Sequence, residues 1–269
     1  MRRREAVCGI VFGLLTRSAL AEDSGIARGL GPKLAPALAP TGRLRVGVVQ
    51  APTAGVFFVA VAGSVPRGVT VDLGAALARE IGVPVAYTIF PNSGECTDAV
   101  ASGAVDVGFM PVDAARSARV AFGPAYYVLE STYLITAASG ITHLAGVDRA
   151  GVRVIGIADT TTIRAAARSL HNTQPVPVRS VEEAIAMMRD GRADALALSR
   201  DSLGQVAPTI PGSLILDGGF QRTTISIAVP PGRPEALEAV RDFMERAKRD
   251  GTVRRALDAV GLTHEPVAP

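Results

Sequence analysis

Three consecutive threonines, Thr160, Thr161 and Thr162, follow an apolar segment and open a predicted helix. The first backbone N–H groups of a helix have no acceptor within the helix, and they carry the positive end of its dipole. Hydroxyl and N–H groups in such a place can together bind an anion. The same run also suits a simple helix N-cap, so the residues alone leave both interpretations open.

Few other residues are spaced for catalysis or metal binding. The three histidines, His143, His171 and His264, are scattered, and H-E-x-x-H and C-x-x-C patterns are absent, so we expect no metal site. Cys96 has no suitably spaced histidine, and a lone cysteine is more often a small core residue than a nucleophile. The sequence also lacks G-x-S-x-G and G-x-G-x-x-G. We therefore predict no catalytic residue and no cofactor.

The positive charge of the chain is concentrated at its start. The 269 residues carry a formal net charge of +3. Arg2, Arg3, Arg4 and Arg17 account for this excess, and the chain beyond residue 21 has equal numbers of basic and acidic residues. A nucleic-acid partner requires a basic surface, so we expect no such partner.

The first 21 residues have the pattern of a secretory signal peptide. A basic start precedes the apolar stretch 6–15, and a small-x-small site ends at Ala21. We expect cleavage after Ala21, loss of Cys8 with the signal, and a periplasmic mature protein. Residues 22–41 are rich in Gly, Pro and Ala and are predicted to form a flexible leader.

Strand and helix patterns alternate from Leu44 onwards. The predicted strands are 44–49, 85–90, 105–110, 152–157, 195–198 and 225–229, and the predicted helices are 73–82, 95–101, 162–170, 181–189, 234–248 and 253–260. This alternation favours an α/β fold with a mainly parallel sheet covered on both faces. The β-prone stretch Tyr126–Ala137 is longer than a usual strand and could pass from one body to another. Two similar halves predict two lobes with a ligand cleft between them.

Eight segments in a fixed order resemble the family 3 extracellular solute-binding proteins, the amino-acid class that supplies ABC importers. These segments are LRVGV, GVTVDLGAALAREIG, ASGAVDVGFM, RSARVAFGPAY, VRVIGIADTTT, RSVEEAIAMMRDGRADALAL, ISIAVPPG and RDGTVRRALDAVGL. The resemblance covers about Leu44 to Leu262.

The resemblance implies a type II periplasmic-binding-protein-like fold, with two doubly wound α/β sheets joined by two hinge strands. Residues 42–134 and 223–264 would form lobe 1, and residues 136–219 would form lobe 2. Residues 265–269 are predicted to be a frayed tail. A ligand would bind the open cleft and stabilise the closed state through a hinge motion.

The resemblance also implies ligand-binding residues. Arg116 precedes Phe122 by six residues, the spacing at which the resembling proteins hold the substrate's α-carboxylate with an arginine. A planar guanidinium can pair with both oxygens of a carboxylate. The plain alternative is a solvated helix arginine, and Arg119 is the competing candidate. The family's Gly-Thr-Thr corresponds to the threonine run, which implies ligand contacts for Thr161 and Thr162.

Ser199 departs from the pattern of the resembling proteins. Amino-acid binders usually carry an Asp there, which pairs with the α-ammonium of the ligand. A hydroxyl cannot neutralise a buried ammonium, and an unpaired one is costly. Either the ligand lacks an ordinary α-amino group, or Asp201, Glu95 or Asp113 supplies the charge.

Five candidates in the first part of the fold come from the same resemblance. Ser93 and Glu95 lie where a family loop reaches the cleft, although an acid in the first turn of a helix is the plain alternative for Glu95. Asp113 could instead cap the short helix that follows it. Tyr126 and Phe109 are candidates for an aromatic platform, although buried aromatic residues more often belong to the core.

The sequence thus predicts a non-enzymatic, monomeric periplasmic receptor for a small carboxylate-bearing solute, an amino acid or a related organic acid. Its expected partner is an ABC permease in the inner membrane. The alternative is a periplasmic cyclohexadienyl-dehydratase-like enzyme on the same fold, in which Glu95 would be the acid or base. A sensory ligand-binding protein is a third interpretation.

Overall fold

The computed structural model describes residues 35–62 and 65–269 of the chain. The predicted signal peptide with its cleavage site, and the predicted leader up to residue 34, lie outside the described residues. Among the described helices, none has the length and apolar character needed to cross a bilayer.

Strands and helices alternate through most of the described chain. The strands are β1 (Leu44–Gln50), β2 (Phe58–Ala62), β3 (Val65–Arg67), β4 (Val85–Phe90), β5 (Val107–Pro111), β6 (Ala121–Ile135), β7 (Val154–Ile157), β8 (Val176–Val178), β9 (Ala195–Ser199), β10 (Leu214–Ile215) and β11 (Gln221–Val229). The helices are α1 (Ala35–Leu38), α2 (Val69–Ile81), α3 (Ser93–Ala101), α4 (Ala114–Ser117), α5 (Thr161–Ser169), α6 (Val181–Arg189), α7 (Arg200–Val206), α8 (Pro234–Arg249) and α9 (Thr252–Ala259).

The strands pair in the order β3-β2-β1-β5-β11-β6-β9-β7-β8, with β4 also on β1 and β10 also on β6. Strands β1, β4 and β5 are parallel, as are β7, β8 and β9. We define the first lobe as β1–β5 with α2–α4, α8 and α9, and the second lobe as β7–β10 with α5–α7. The antiparallel pair β6 and β11 joins the two groups of strands. The predicted two-lobe α/β fold with two hinge strands is confirmed.

Strand β6 carries the connection between the lobes. Its first residues pair with the end of β11, and its last residues, from Ser131, pair with β9. The strand begins at Ala121. The predicted start at Tyr126 is five residues too late, because Gly123 and Pro124 obscure the strand pattern in the sequence. Glycine is needed at 123, since an added Cβ would lie 2.6 Å from Val240 of α8. The close approach of α8 thus explains why a glycine stands inside this strand.

Helix α8 shows why the local sequence patterns were informative. Pro234 stands in its first turn, and Arg246, Lys248 and Arg249 lie in its last turn, which complements the helix dipole. Its buried side chains recur at helical spacing: Ala236, Ala239, Val240, Phe243, Met244 and Ala247. The helix covers the hinge strands β6 and β11.

Both terminal segments correct the sequence-based expectation. Residues 35–41 were predicted to belong to the flexible leader, but Leu38 in α1 is 1% exposed and α1 packs against α8. The tail, residues 265–269, was predicted to fray. Instead the Ala268 N–H donates to the carbonyl of Tyr126 at 3.0 Å, and Glu265 accepts from the Tyr127 hydroxyl at 2.6 Å. These partners are far away in sequence, so local composition could not reveal them.

Candidate functional site

Arg116 is held at the lobe boundary by the turn after β5. Asp113 accepts a hydrogen bond from the Arg116 N–H at 2.8 Å and thereby caps the four-residue helix α4. The Arg116 side chain then folds back, and its Nη1 donates to the carbonyl of Pro111 at 2.9 Å. Residue 116 is 3% exposed. The plain interpretation of a solvated helix arginine is therefore wrong for Arg116.

The guanidinium of Arg116 is buried against neutral acceptors. Its Nη2 donates to Ser93 Oγ at 2.6 Å and to the carbonyl of Asp159 in the second lobe at 3.0 Å. Among the described residues, no carboxylate forms an ion pair with it. Burial lowers the pKa of Arg116 to about 10, and the positive charge of Arg164 acts in the same direction. A cation in such surroundings favours the approach of an anion.

The threonine run lies at the start of α5. Thr160 is the N-cap: its hydroxyl accepts from the Ile163 N–H at 3.2 Å and donates to the Ile157 carbonyl at 2.8 Å. Thr162 Oγ1 lies 3.4 Å from Ser131 Oγ on hinge strand β6. Thr161 is 1% exposed and its Oγ1 has no hydrogen-bond partner. The cap interpretation thus holds for Thr160, and an unused hydroxyl remains at Thr161.

A carboxylate lies near Ser199, two residues further along the chain. Ser199 Oγ donates to Ser202 Oγ at 2.8 Å, and Ser202 Oγ is 3.4 Å from Asp201 Oδ2. The backbone N–H groups of Ser202 and, from the first lobe, Val56 also reach this carboxylate. Burial raises the pKa of Asp201, although these hydrogen bonds oppose the rise. Among the described residues, no cation forms an ion pair with Asp201.

Asp113 and Glu95, the other candidate carboxylates, are already engaged. Asp113 Oδ2 accepts from Nε of Arg164, in the second lobe, at 3.0 Å and also from its Nη2. Burial alone would raise the pKa of Asp113, but the hydrogen bonds and charges of Arg164 and Arg116 lower it overall. Glu95 is exposed and accepts from the Asn92 side chain at 3.1 Å, while Asn92 caps Glu95 in return. The first-turn interpretation of Glu95 fits this capping box.

The aromatic candidates lie inside the core. Phe109 and Tyr126 are both fully buried and contact each other edge to face at 6.0 Å between ring centroids. The Tyr126 hydroxyl donates to the carbonyl of Val56 at 2.7 Å. These contacts favour a packing role for both rings. The competing arginine, Arg119, is exposed and forms a surface ion pair with Asp98.

A cavity of about 260 Å³ opens beside Arg116 at the boundary between the lobes. Its polar lining includes Thr97, Asp98, Arg116, Arg119, Asp159 and Arg164. In the described part of the chain, no cluster of His, Cys, Asp and Glu could hold a metal ion. Cys96 is fully buried, as the sequence predicted, and burial raises the pKa of its thiol to about 12.

Several residues of this region were not identified from the sequence, among them Gly94, Ser131, Asp159 and Arg164. Asp159 adopts a left-handed backbone with φ 57°, which is uncommon for a residue other than glycine. Its position before the threonine run was the available signal. Nothing in the sequence marked Arg164, because its partner Asp113 is 51 residues away.

The comparisons with solved structures agree on the fold. A mutant of ArgBP from T. maritima matches with a TM-score of 0.74 and 20% identity, over 85% of this chain and 99% of that chain. The solute receptor for L-cysteine of Neisseria gonorrhoeae matches with a TM-score of 0.76 and 21% identity, over 86% of this chain and 97% of that chain. An ancestral amino acid-binding protein, a precursor of cyclohexadienyl dehydratase, matches with a TM-score of 0.71 and 23% identity, over 85% of this chain and 99% of that chain.

Sequence comparison gives the family. No curated protein sequence gave a significant match. The model of the bacterial extracellular solute-binding proteins, family 3, matches residues 44–260, which is most of the chain and includes every residue of the site described above. The protein therefore belongs to the bacterial extracellular solute-binding proteins, family 3.

Proposed function

We propose that this protein captures a small carboxylate-bearing solute, an amino acid or a close relative, between its lobes and delivers it to an ABC permease. The observation that carries the proposal is the buried Arg116 guanidinium, which has only neutral acceptors from the protein. A guanidinium has five N–H groups, and the protein uses three of those on Arg116. A ligand carboxylate would supply both the missing charge and the missing acceptors.

The start of α5 supports the same ligand group. The Arg116 Nη2 bonds to the carbonyl of Asp159, which stands just before the threonine run. The first N–H groups of the helix and the unused Thr161 hydroxyl therefore lie on the segment that Arg116 reaches. A carboxylate at this point would be held by both lobes, so its binding would favour their closure.

Asp201 is the proposed partner of the ligand's ammonium group. Its carboxylate accepts hydrogen bonds from hydroxyl and N–H groups, and these donors come from both lobes. Glu95 and Asp113 are committed to capping and to Arg164. Asp201 therefore supplies the charge that Ser199 lacks, and the ligand keeps its α-amino group. Two solved structures with similar folds support this class, since one was determined with bound L-arginine and the other in complex with lysine.

A binding protein fits the geometry better than an enzyme does. Glu95, the candidate acid or base, is exposed and engaged in its capping box. We therefore propose a monomeric periplasmic receptor without turnover. Assays with cyclohexadienyl acids should yield no product. Aromatic product that disappears in Glu95→Gln, with binding retained, would instead support the enzyme.

A thermal-shift screen tests the proposed ligand class. The panel contains L-arginine, L-lysine, L-cysteine and L-glutamine, their deaminated analogues, and the matching amines without a carboxylate. A ligand that binds only the folded chain raises the melting temperature by mass action. We expect stabilisation by amino acids and none by the amines. Stabilisation by deaminated acids alone would overturn the role of Asp201, and no shift with any carboxylate would overturn the proposal.

A further inference from the structure

We infer that Asp113 and Arg164 form a latch between the lobes and that Gly94 provides the clearance that the latch needs. Together they hold the chain in the arrangement in which the lobes touch. None of the three is assigned to the ligand in the proposed function, which this inference extends to the control of closure.

The ion pair joins α4 of the first lobe to α5 of the second. Arg164 donates from Nε at 3.0 Å and from Nη2 to the same Asp113 oxygen. The other oxygen of Asp113 is fixed by the Arg116 N–H, so the carboxylate is already oriented before the lobes meet. The side chain of Arg164 is 32% exposed and that of Asp113 is 17% exposed. Partial burial and prior orientation make this pair stronger than a typical surface salt bridge.

The backbone of the two lobes meets beside this pair. A Cβ added to Gly94 in α3 would lie 2.3 Å from Cβ of Asp159. Because the Asp159 Cβ is bonded directly to the backbone, no side-chain rotation can relieve such a clash. Position 94 therefore tolerates only glycine when the lobes touch as described.

These contacts exist only when the lobes are together. Their loss should therefore favour the open arrangement without removing any group from the proposed ligand. A ligand that binds only the closed state binds more weakly when less of the unbound chain is closed. Its apparent affinity therefore decreases in proportion to the closed fraction. The size of the effect should be about fivefold or less for the ion pair, the upper range for such pairs.

Three substitutions separate the latch from local folding. Asp113→Asn keeps an N-cap acceptor for α4 and removes the charge. Arg164→Gln keeps a helix-forming residue in α5. Gly94→Ala adds a good helix former to α3, so it should not destabilise the open chain. Matched controls are Arg153→Gln and Asp194→Asn, an ion pair within the second lobe, and Gly204→Ala, where an added Cβ meets nothing within 4 Å.

Small-angle X-ray scattering of each variant measures the separation of the lobes directly. We expect a larger radius of gyration for Asp113→Asn, Arg164→Gln and Gly94→Ala, and an unchanged value for the controls. The double variant Asp113→Asn/Arg164→Gln should match either single variant, because both remove one interaction. Unchanged dimensions in the three single variants, with folding verified by circular dichroism, would overturn the latch.

The scattering result is independent of the ligand class. If no carboxylate stabilises the chain but the three variants expand it, the latch stands and the proposed function fails. If amino acids bind and the dimensions do not change, the proposed function stands and the latch fails. Expansion in the control variants as well would show a general loosening and would also overturn the latch.

Discussion

Two regions where the lobes meet differ in the charge that they leave uncompensated. The first, the Arg116 region, comprises Arg116 with Ser93, Pro111 and Asp159, and there a buried cation contacts only neutral oxygens. The second, the Asp201 region, comprises Asp201 with Val56, Ser199 and Ser202. There the Asp201 carboxylate contacts only hydroxyl and N–H groups. Each region takes groups from both lobes.

The difference between the two regions supports the proposal of a dipolar ligand. Charges buried without a counterion are costly, and proteins keep them mainly where a partner arrives. By contrast, Asp113 and Arg164 compensate each other within the chain. The two unpaired groups are therefore the ones expected to bind ligand, and the paired ones are expected to control closure.

The largest expected effect comes from the Arg116 region. Arg116→Ala should lower the affinity for an amino acid by at least about 30-fold, or about 2 kcal/mol, through loss of a charge-assisted pair. Titration calorimetry measures the change. Arg192→Ala is the matched control, since Arg192 is exposed, pairs with Asp190 and does not line the cavity beside Arg116, and it should bind normally. Equal losses in both variants would show that general charge, and not Arg116, attracts the ligand.

Asp201→Asn tests the opposite region. The affinity for an amino acid should fall about tenfold, because the ammonium loses its counterion, whereas the deaminated analogue should bind no more weakly than before. Asp217→Asn, at an exposed carboxylate, serves as the control. An equal loss for both ligands would mean that Asp201 supports the structure and does not contact the ammonium.

The pH dependence of binding should come from the Asp201 region. Burial raises the pKa of Asp201 above 3.8, so the unbound chain keeps this proton to higher pH than free aspartate does. Amino-acid affinity should therefore increase as pH rises through that pKa, by up to about tenfold per pH unit below it. Arg116, with a pKa of about 10, stays charged there. Calorimetry over an acidic pH series should show the slope in the wild type and none in Asp201→Asn.

The contribution of Asp201 to the stability of the unbound chain should change with pH in the opposite sense. A carboxyl whose folded pKa is raised binds its proton more tightly in the folded state. Its contribution to the free energy of unfolding is therefore present at low pH and is lost as pH rises through the folded pKa.

Thr161→Val should have the smallest effect on binding. The Thr161 hydroxyl has no partner within the protein. The substitution should therefore lower the affinity for the amino acid by about threefold and leave the stability of the chain unchanged. Thr160→Val removes the α5 cap and should cost about 1 kcal/mol of stability. Denaturation and calorimetry on the two variants separate the roles. A stability loss in Thr161→Val equal to that in Thr160→Val would contradict the assignment.

The predictable part of the site was the part encoded by short spacing. Ser93, Arg116 and Thr161 were named from the resemblance to the family's motifs, and each stands in the first turn of a helix, where the local pattern is clear. Asp201 was named only as one of three carboxylates that could replace the Asp missing at position 199. The choice among the carboxylates Glu95, Asp113 and Asp201 could not be made from spacing. That choice depends on which cations and caps reach each group in three dimensions.

The amino-acid sequence by itself determined the α/β alternation, the amphipathic helices and the family, because these follow from periodicity and ordered motifs. Only the tertiary structure decided that the C-terminal tail docks on β6, that Gly94 meets Asp159, and that Arg164 pairs with Asp113. These contacts join residues separated by tens to more than a hundred positions in the chain. Their partners are selected by how the two lobes come together, which no local pattern records.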